Sequence, residues 1–168
     1  MKKLTTLFLT LLAFSLSAQN FELSTLRIGE YKIFMKKTEA QKLAQKQFPK
    51  FTDYENKSKV DYYGEIIELA GQTTYISEAE TEVEAIQYLG TKSKKFRTKS
   101  GMGVGSTKDE LLTAYNNYRN FSMNQSWAED EKTTSYFTLS DHDAGTELTF
   151  RIVNNVVAEV TIYINEGC

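Results

Sequence analysis

Cysteine, proline and histidine each occur once in 168 residues, and each scarcity closes off a class of protein. With Cys168 alone, the chain cannot close a disulfide within itself. That thiol either pairs with another chain or stays unpaired at a frayed end. Pro49 alone excludes a proline-rich linker, and no low-complexity tract takes its place. His142 alone leaves any metal site or catalytic pair with a single imidazole to draw on. Charge of one sign is scarce too. The formal net charge is −2, which argues against nucleic acid or an anionic membrane as the main partner. After the N-terminus, no apolar run approaches the roughly 20 residues of a membrane-spanning helix.

The N-terminus is what the sequence does have. Met1-Lys2-Lys3 precedes an apolar run from Leu4 to Leu16, followed by the small residues Ser15, Ser17 and Ala18. A positive start, a short apolar stretch and small residues at the cut make a secretory signal peptide over residues 1–18, cleaved after Ala18 or Ser17. No cysteine stands near the cut to take a lipid. The expectation is a periplasmic or secreted protein of 150 residues with no stable membrane anchor. Losing Lys2 and Lys3 takes its charge to −4. A chain of that length buries about 70% of its unfolded surface and needs neither disulfide nor metal to fold.

An internal repeat organises the rest. Thr38 precedes Gln41 by three residues and Thr107 precedes Glu110 by three, each the start of a capping box. Helical spacing follows both, through Ala40, Leu43, Ala44 and Phe48, and through Leu111, Ala114, Tyr115 and Tyr118. Pro49 helps stop the first helix. The period then becomes two. Strands are expected over 59–69, 73–77 and 83–89 in the first copy. In the second, Ser135, Phe137 and Leu139 alternate with Tyr136 and Thr138, and Leu148, Phe150 and Ile152 alternate with Thr149 and Arg151. Asn154-Asn155 supplies a tight turn. A last strand sets Val156, Ala158, Val160, Ile162 and Ile164 against Glu159, Thr161 and Tyr163. Sliding the second copy back by 74 residues lays Val157 on Val83 and Val160 on Ile86. The expected organisation is a first αβββ repeat over 19–90, a polar connector over 91–100 and a second αβββ repeat over 101–168.

Two stretches carry a family resemblance. Residues 98–112, Thr-Lys-Ser-Gly-Met-Gly-Val-Gly-Ser-Thr-Lys-Asp-Glu-Leu-Leu, with Tyr115 beyond, form one; Asn154-Asn155-Val156-Val157-Ala158-Glu159-Val160-Thr161-Ile162-Tyr163 forms the other. They resemble the helix entry and closing hairpin of the beta-lactamase-inhibitor-protein-like repeat domains, shared with outer-membrane assembly lipoproteins of the SmpA/OmlA type. The resemblance implies helices packed on one face of an antiparallel sheet, with the other face free to bind protein, and it carries no active-site residues. The lipoproteins' lipidation cysteine and the secreted inhibitor's disulfides are both missing here.

The residues that invite chemistry have simpler readings. Gly101, Gly103 and Gly105 precede a helix, as a phosphate loop would. Yet the stretch lacks the terminal Gly-Lys-[Ser/Thr], and Ser106 stands where a dinucleotide fingerprint needs Gly or Ala. Asp141-His142-Asp143, with Glu147 near, offers imidazole and carboxylates to a metal, but also reads as a hairpin turn. Glu78, Glu80, Glu82 and Glu84 read as a solvated strand edge. Lys92, Lys94, Lys95, Arg97 and Lys99 around Phe96 read either as a patch for an acidic partner or as a solvated connector.

These readings combine into an α+β fold of two tandem α-β-β-β units, helices packed on one face of an antiparallel sheet. The expected function is that of a non-enzymatic protein-binding domain of the bacterial envelope, an inhibitor, adaptor or assembly factor, without cofactor or metal. Its contact residues would be Tyr136, Thr138, Arg151, Thr161 and Tyr163 on the outward sheet face, because Tyr and Arg supply contact area with a polar tip. The alternative is a small-ligand or metal-binding periplasmic protein using the His142 turn.

Overall fold

The computed structural model describes residues 20–76, 81–126 and 132–165, so the signal-like segment, Glu78, Glu80 and Cys168 lie outside the described residues. Its elements run β1 (Arg27–Ile28), β2 (Tyr31–Lys32), α1 (Lys37–Ala44), β3 (Ser58–Tyr62), β4 (Glu65–Ile76), β5 (Thr81–Thr91), α2 (Lys108–Tyr115), β6 (Phe121–Gln125), β7 (Thr134–Asp141), β8 (Thr146–Val153) and β9 (Val156–Ile164). β1 and β2 form a small hairpin. The other seven strands make one antiparallel sheet in the order β3-β4-β5-β9-β8-β7-β6.

The expected α+β fold of two tandem α-β-β-β units is overturned. The described residues are mostly β, 48% strand and 12% helix. Each helix has only eight residues: α1 fully buries Ala40 alone, and α2 buries Leu111 and Tyr115. Two such helices cannot cover a seven-stranded sheet, and the strands are longer and more numerous than their alternation suggested. The expected strands at 59–69 and 73–77 are cut elsewhere. A turn at Tyr63-Gly64, φ 53° and 83°, divides β3 from a β4 that runs unbroken to Ile76. A fourth strand, β6, joins the second half where no strand was expected, since Phe-Ser-Met-Asn-Gln has neither strong alternation nor β-branched residues.

What corresponds between the halves is a smaller piece, at a spacing of 71 residues rather than 74. Helix entries bridge the central strands at Lys36↔Ala85 and Thr107↔Val156, and the helices begin at Lys37 and Lys108. The pairing of β5 with β9 is symmetric about Gly90↔Thr161, through Leu89↔Ile162 and Thr91↔Val160. Each central strand carries a bulge at the same place. Gln87 is the extra residue where the register steps from Ala70↔Tyr88 to Gly71↔Ile86, and Ala158 where it steps from Arg151↔Glu159 to Ile152↔Val157. A bulge shifts a strand's alternation by one residue. Val157 is therefore 1% exposed and Val156, expected in the core, is 41% exposed.

The core lies on one sheet face, where Phe137, Phe150, Val160, Ile162, Leu89, Ile67 and Leu69 meet Leu111 of α2, Ala40 of α1 and Ile28 and Tyr31 of the hairpin. Burying a ring such as Phe137 completely stabilises the fold by about 1.5–3 kcal/mol. The ring of Tyr115 sits 5.9 Å from that of Phe137 and 6.4 Å from that of Phe150. α1 is tied to β5 differently. Lys37 Nζ donates to both oxygens of Glu84 at 2.9 and 3.1 Å, and the Phe51 amide donates to the same carboxylate at 2.6 Å. The Lys37 ammonium bonded to it, with the Phe51 amide, holds the Glu84 carboxyl below its usual range. Glu84 is thus a structural ligand of its neighbours, not part of a solvated glutamate edge.

The two helix starts differ. Thr107 forms its capping box as expected: its hydroxyl accepts from the Glu110 amide at 3.2 Å, and Glu110 accepts from the Thr107 amide at 2.7 Å. Thr38 does not, because α1 begins one residue before it with Lys36 as N-cap and no side-chain cap. The strand-like bridge of Lys36 to Ala85 fixes where the helix can start. α1 also ends at Ala44, with Gln45 in the left-handed region at φ 50°, well before Pro49.

Candidate binding face

Strand alternation carries the five expected contact residues to the sheet face opposite the helices. The register opposes Tyr136 to Arg151 and Arg151 to Glu159 in one row. Thr138, Thr149 and Thr161 make the next, and Ser140, Glu147 and Tyr163 the third. Within this face the side chains are partly spent on one another. Thr138 Oγ1 and Thr149 Oγ1 lie 2.9 Å apart, and Thr149 Oγ1 donates to Tyr163 Oη at 3.3 Å. Thr138 and Thr149 are each only 7% exposed. Thr138 is therefore a support beneath the face rather than a contact on it, while Tyr136, Arg151, Thr161 and Tyr163 are half-buried. Burial also raises the Tyr163 phenol's pKa, so it stays a neutral hydroxyl at physiological pH.

The face extends into the first half through residues the sequence reading missed. Tyr88 of β5 stands directly opposite Tyr163 of β9. Its ring lies along its own strand over Gly90, where a Cβ would come within 2.5 Å of Tyr88 Oη. A Tyr-x-Gly spacing within a strand is the one signal that marks such a ring. Lys57 Nζ donates to Tyr88 Oη at 3.0 Å and lies 4.2 Å from the ring centroid. Burial works against the Lys57 charge, but the Tyr88 hydroxyl, with Glu68 and Glu159 beyond, leaves its pKa raised. Tyr54 Oη donates to Gln87 Oε1 at 3.1 Å, and Gln87 Nε2 donates to Thr74 Oγ1 at 2.8 Å. The bulge residue is thus held by two hydrogen bonds. Tyr54, Tyr88, Tyr163 and Ile164 line an open groove of about 420 Å³. Nothing in the order of residues joins Tyr54, Lys57 and Tyr88 to Tyr163, because only the β5–β9 pairing brings them together.

A second groove, about 520 Å³, lies between the N-terminal strap and α2, lined by Leu23, Thr25, Arg27, Lys99, Tyr115 and Tyr118 among others. Its hydroxyls are turned to the protein itself. Tyr115 Oη donates to Thr98 Oγ1 at 2.8 Å, Tyr118 Oη to the Ser140 carbonyl at 3.2 Å and Thr25 Oγ1 to Asp141 Oδ2 at 2.9 Å.

The other sequence candidates resolve into structure. In the glycine-rich loop, the Gly101 amide donates to the Thr98 carbonyl, Met102 to Thr98 Oγ1, Gly103 to Ser106 Oγ and Gly105 to the Val157 carbonyl. An anion cradle needs those amides free, and here they are spent. Gly103 is required because a Cβ there would strike the Phe96 carbonyl. The connector is anchored rather than loose. Phe96 is 1% exposed, its ring 5.2 Å from that of Phe21, and Lys95 pairs with Glu65 at 2.8 Å. His142 and Asp143 are exposed in the β7–β8 turn, where Asp141 accepts from the Ala144 amide at 3.1 Å. Among the described residues no group of three His, Cys, Asp or Glu side chains is gathered for a metal. No helix among them is long and apolar enough to cross a membrane.

No family model, no curated protein and no solved structure matches the chain.

Proposed function

We propose that the chain is a non-enzymatic protein-binding module of the bacterial envelope that holds its partner on the sheet face opposite the helices. One observation carries the reading. Among the described residues both helices and the β1–β2 hairpin pack on the core face. The other face carries amphipathic side chains, Tyr136 and Arg151 in one row and Tyr163 opposite Tyr88 two rows away, and the second pair lines an open groove. Tyrosine and arginine give large contact area with a polar tip and little rotamer entropy to lose, which is why binding energy concentrates on them. The Thr138–Thr149–Tyr163 hydrogen bonds hold part of that surface in place before a partner arrives. The envelope location rests on the signal-like N-terminus alone.

The test is crosslinking of the exported chain in its own compartment, with the captured proteins identified by mass spectrometry. A triple variant, Tyr136→Ala, Arg151→Ala and Tyr163→Ala, is compared under the same conditions after its thermal unfolding shows that it is folded. Loss of the captured protein supports the reading. Unchanged capture by the folded variant overturns it for this face. A small molecule or metal that copurifies while no protein is captured favours the small-ligand alternative instead.

A further inference from the structure

An open sheet has two edge strands, and each presents backbone groups that another strand can bond. At the β3 edge those groups are guarded. The strand carries Lys59 and Asp61, Lys59 pairs with Glu68 at 3.3 Å, and Lys46 Nζ donates to the Lys59 carbonyl at 3.3 Å. At the β6 edge the strand is Phe-Ser-Met-Asn-Gln, with no charge, no proline and no bulge.

The parity of β6 is fixed by two bonds at the ends of its ladder. The Ser140 amide donates to the Asn120 carbonyl at 2.8 Å, and the Ser126 amide donates to the Thr134 carbonyl at 3.2 Å. Even-numbered residues of β6 therefore bond to β7, and Phe121, Met123 and Gln125 turn their N–H and C=O groups outward. Among the described residues none hydrogen-bonds those outward groups. Ser122 and Asn124 point their exposed side chains away from the core face, where a bond of 3.5 Å joins them. Phe121, 40% exposed, stacks on Phe137 at 5.4 Å and leaves an aromatic ledge along the edge.

The geometry points to β6 as a pairing edge for a second copy of this chain, the two β6 strands lying antiparallel about a two-fold axis at Met123. That register opposes Met123 to Met123 and Phe121 to Gln125, so every outward donor meets an outward acceptor, about six hydrogen bonds in all. It also opposes Ser122 to Asn124 on the solvent face, two neutral side chains with no charge to repel their counterparts. The strand is complementary to itself in hydrogen-bond parity, in charge and in the placing of Phe121. This pairing does not depend on the partner face proposed above, which lies on the sheet surface rather than its rim. A five-residue edge buries little area, so the association is weak and rises with concentration.

Sedimentation velocity of the purified chain, from dilute to near-millimolar, is the first measurement, and reversible dimerisation is expected. The second compares S122K/N124K with S122E/N124E, which set like charges directly opposite across the axis. Each should dimerise at least about tenfold more weakly than the parent, with an unchanged thermal midpoint because both side chains are exposed. Mixing the two variants should restore association as a mixed dimer, since lysine then opposes glutamate. A parent that stays monomeric throughout overturns the proposal. So does a lysine variant that dimerises like the parent, or a mixture that stays monomeric. In the first of these cases, a foreign strand captured at β6 by crosslinking would identify a different occupant.

Discussion

The two rims of the sheet are built on opposite plans. At the β3 rim an ammonium caps a carbonyl and two charged side chains stand on the strand. At the β6 rim an uncharged strand faces outward with its backbone unused among the described residues. The difference continues inward. The first half fixes its helix by an ion pair, Lys37 to Glu84, and leaves the N-cap without a side-chain bond. The second fixes its helix by a complete capping box and by Tyr115 packed against Phe137 and Phe150. Charge can guard an edge because an incoming strand would have to desolvate it; apolar packing offers no such penalty and leaves the edge open. The contrast teaches that a symmetric centre, with β5 and β9 paired about Gly90↔Thr161, does not impose symmetric rims.

The comparison can be broken most severely at the second half's core. Phe137 is 0% exposed and supports Phe121 of the β6 rim, Phe150 and Tyr115 together. Phe137→Ala is expected to cost about 3–5 kcal/mol, read as a lowered denaturant midpoint, and to increase exchange of the β6 amides. Stripping the guarded rim is the next test. K59V/D61V removes its charges, and the expected result is light scattering from species larger than a dimer, which the parent does not form; scattering no greater than the parent's would mean that Lys46 and the neighbouring α1 suffice. Alkali attacks the first half. Burial, reinforced by the Glu30 charge, pushes the phenols of Tyr31 and Tyr62 up to about 12. A phenol whose folded pKa lies above its unfolded value of about 10 stabilises the fold fully below pH 10, and that stability falls as pH climbs towards 12. Absorbance of tyrosinate and circular dichroism should therefore change together over that window. If both phenols titrate near pH 10 with the fold intact, their burial is not what holds them. The smallest effects sit at the helix caps. Thr107→Ala should cost about 1 kcal/mol, whereas Lys36→Asp should add a few tenths by supplying the missing cap and complementing the helix dipole. Paired thermal melts of the two variants decide this.

Local chemistry was legible wherever one element sufficed to express it. The Thr107–Glu110 box, the Asn154-Asn155 turn with φ 50° and 65°, and the alternation that buries Phe137, Leu139, Leu148 and Phe150 could each be read within a dozen residues. The candidate face was legible by half. Tyr136, Arg151, Thr161 and Tyr163 follow from alternation in β7, β8 and β9, but the burial of Thr138 does not. Tyr54, Lys57 and Tyr88 were invisible because they belong to that face only through the pairing of β5 with β9, strands far apart in sequence.

The sequence by itself determined the Asn154-Asn155 turn, the apolar alternation of the second half's strands and the place where one helix is capped, because these depend on neighbours a few positions away. Only the tertiary structure decided the bulges at Gln87 and Ala158, since a bulge exists only against a partner strand, and it is the bulge that buries Val157 in place of Val156. The tertiary structure also decided that β6 is a strand and that it stands at a rim. Phe-Ser-Met-Asn-Gln has little strand preference of its own. It is held extended by the ladder to β7 and by the stacking of Phe121 on Phe137, contacts that exist only once the sheet has formed.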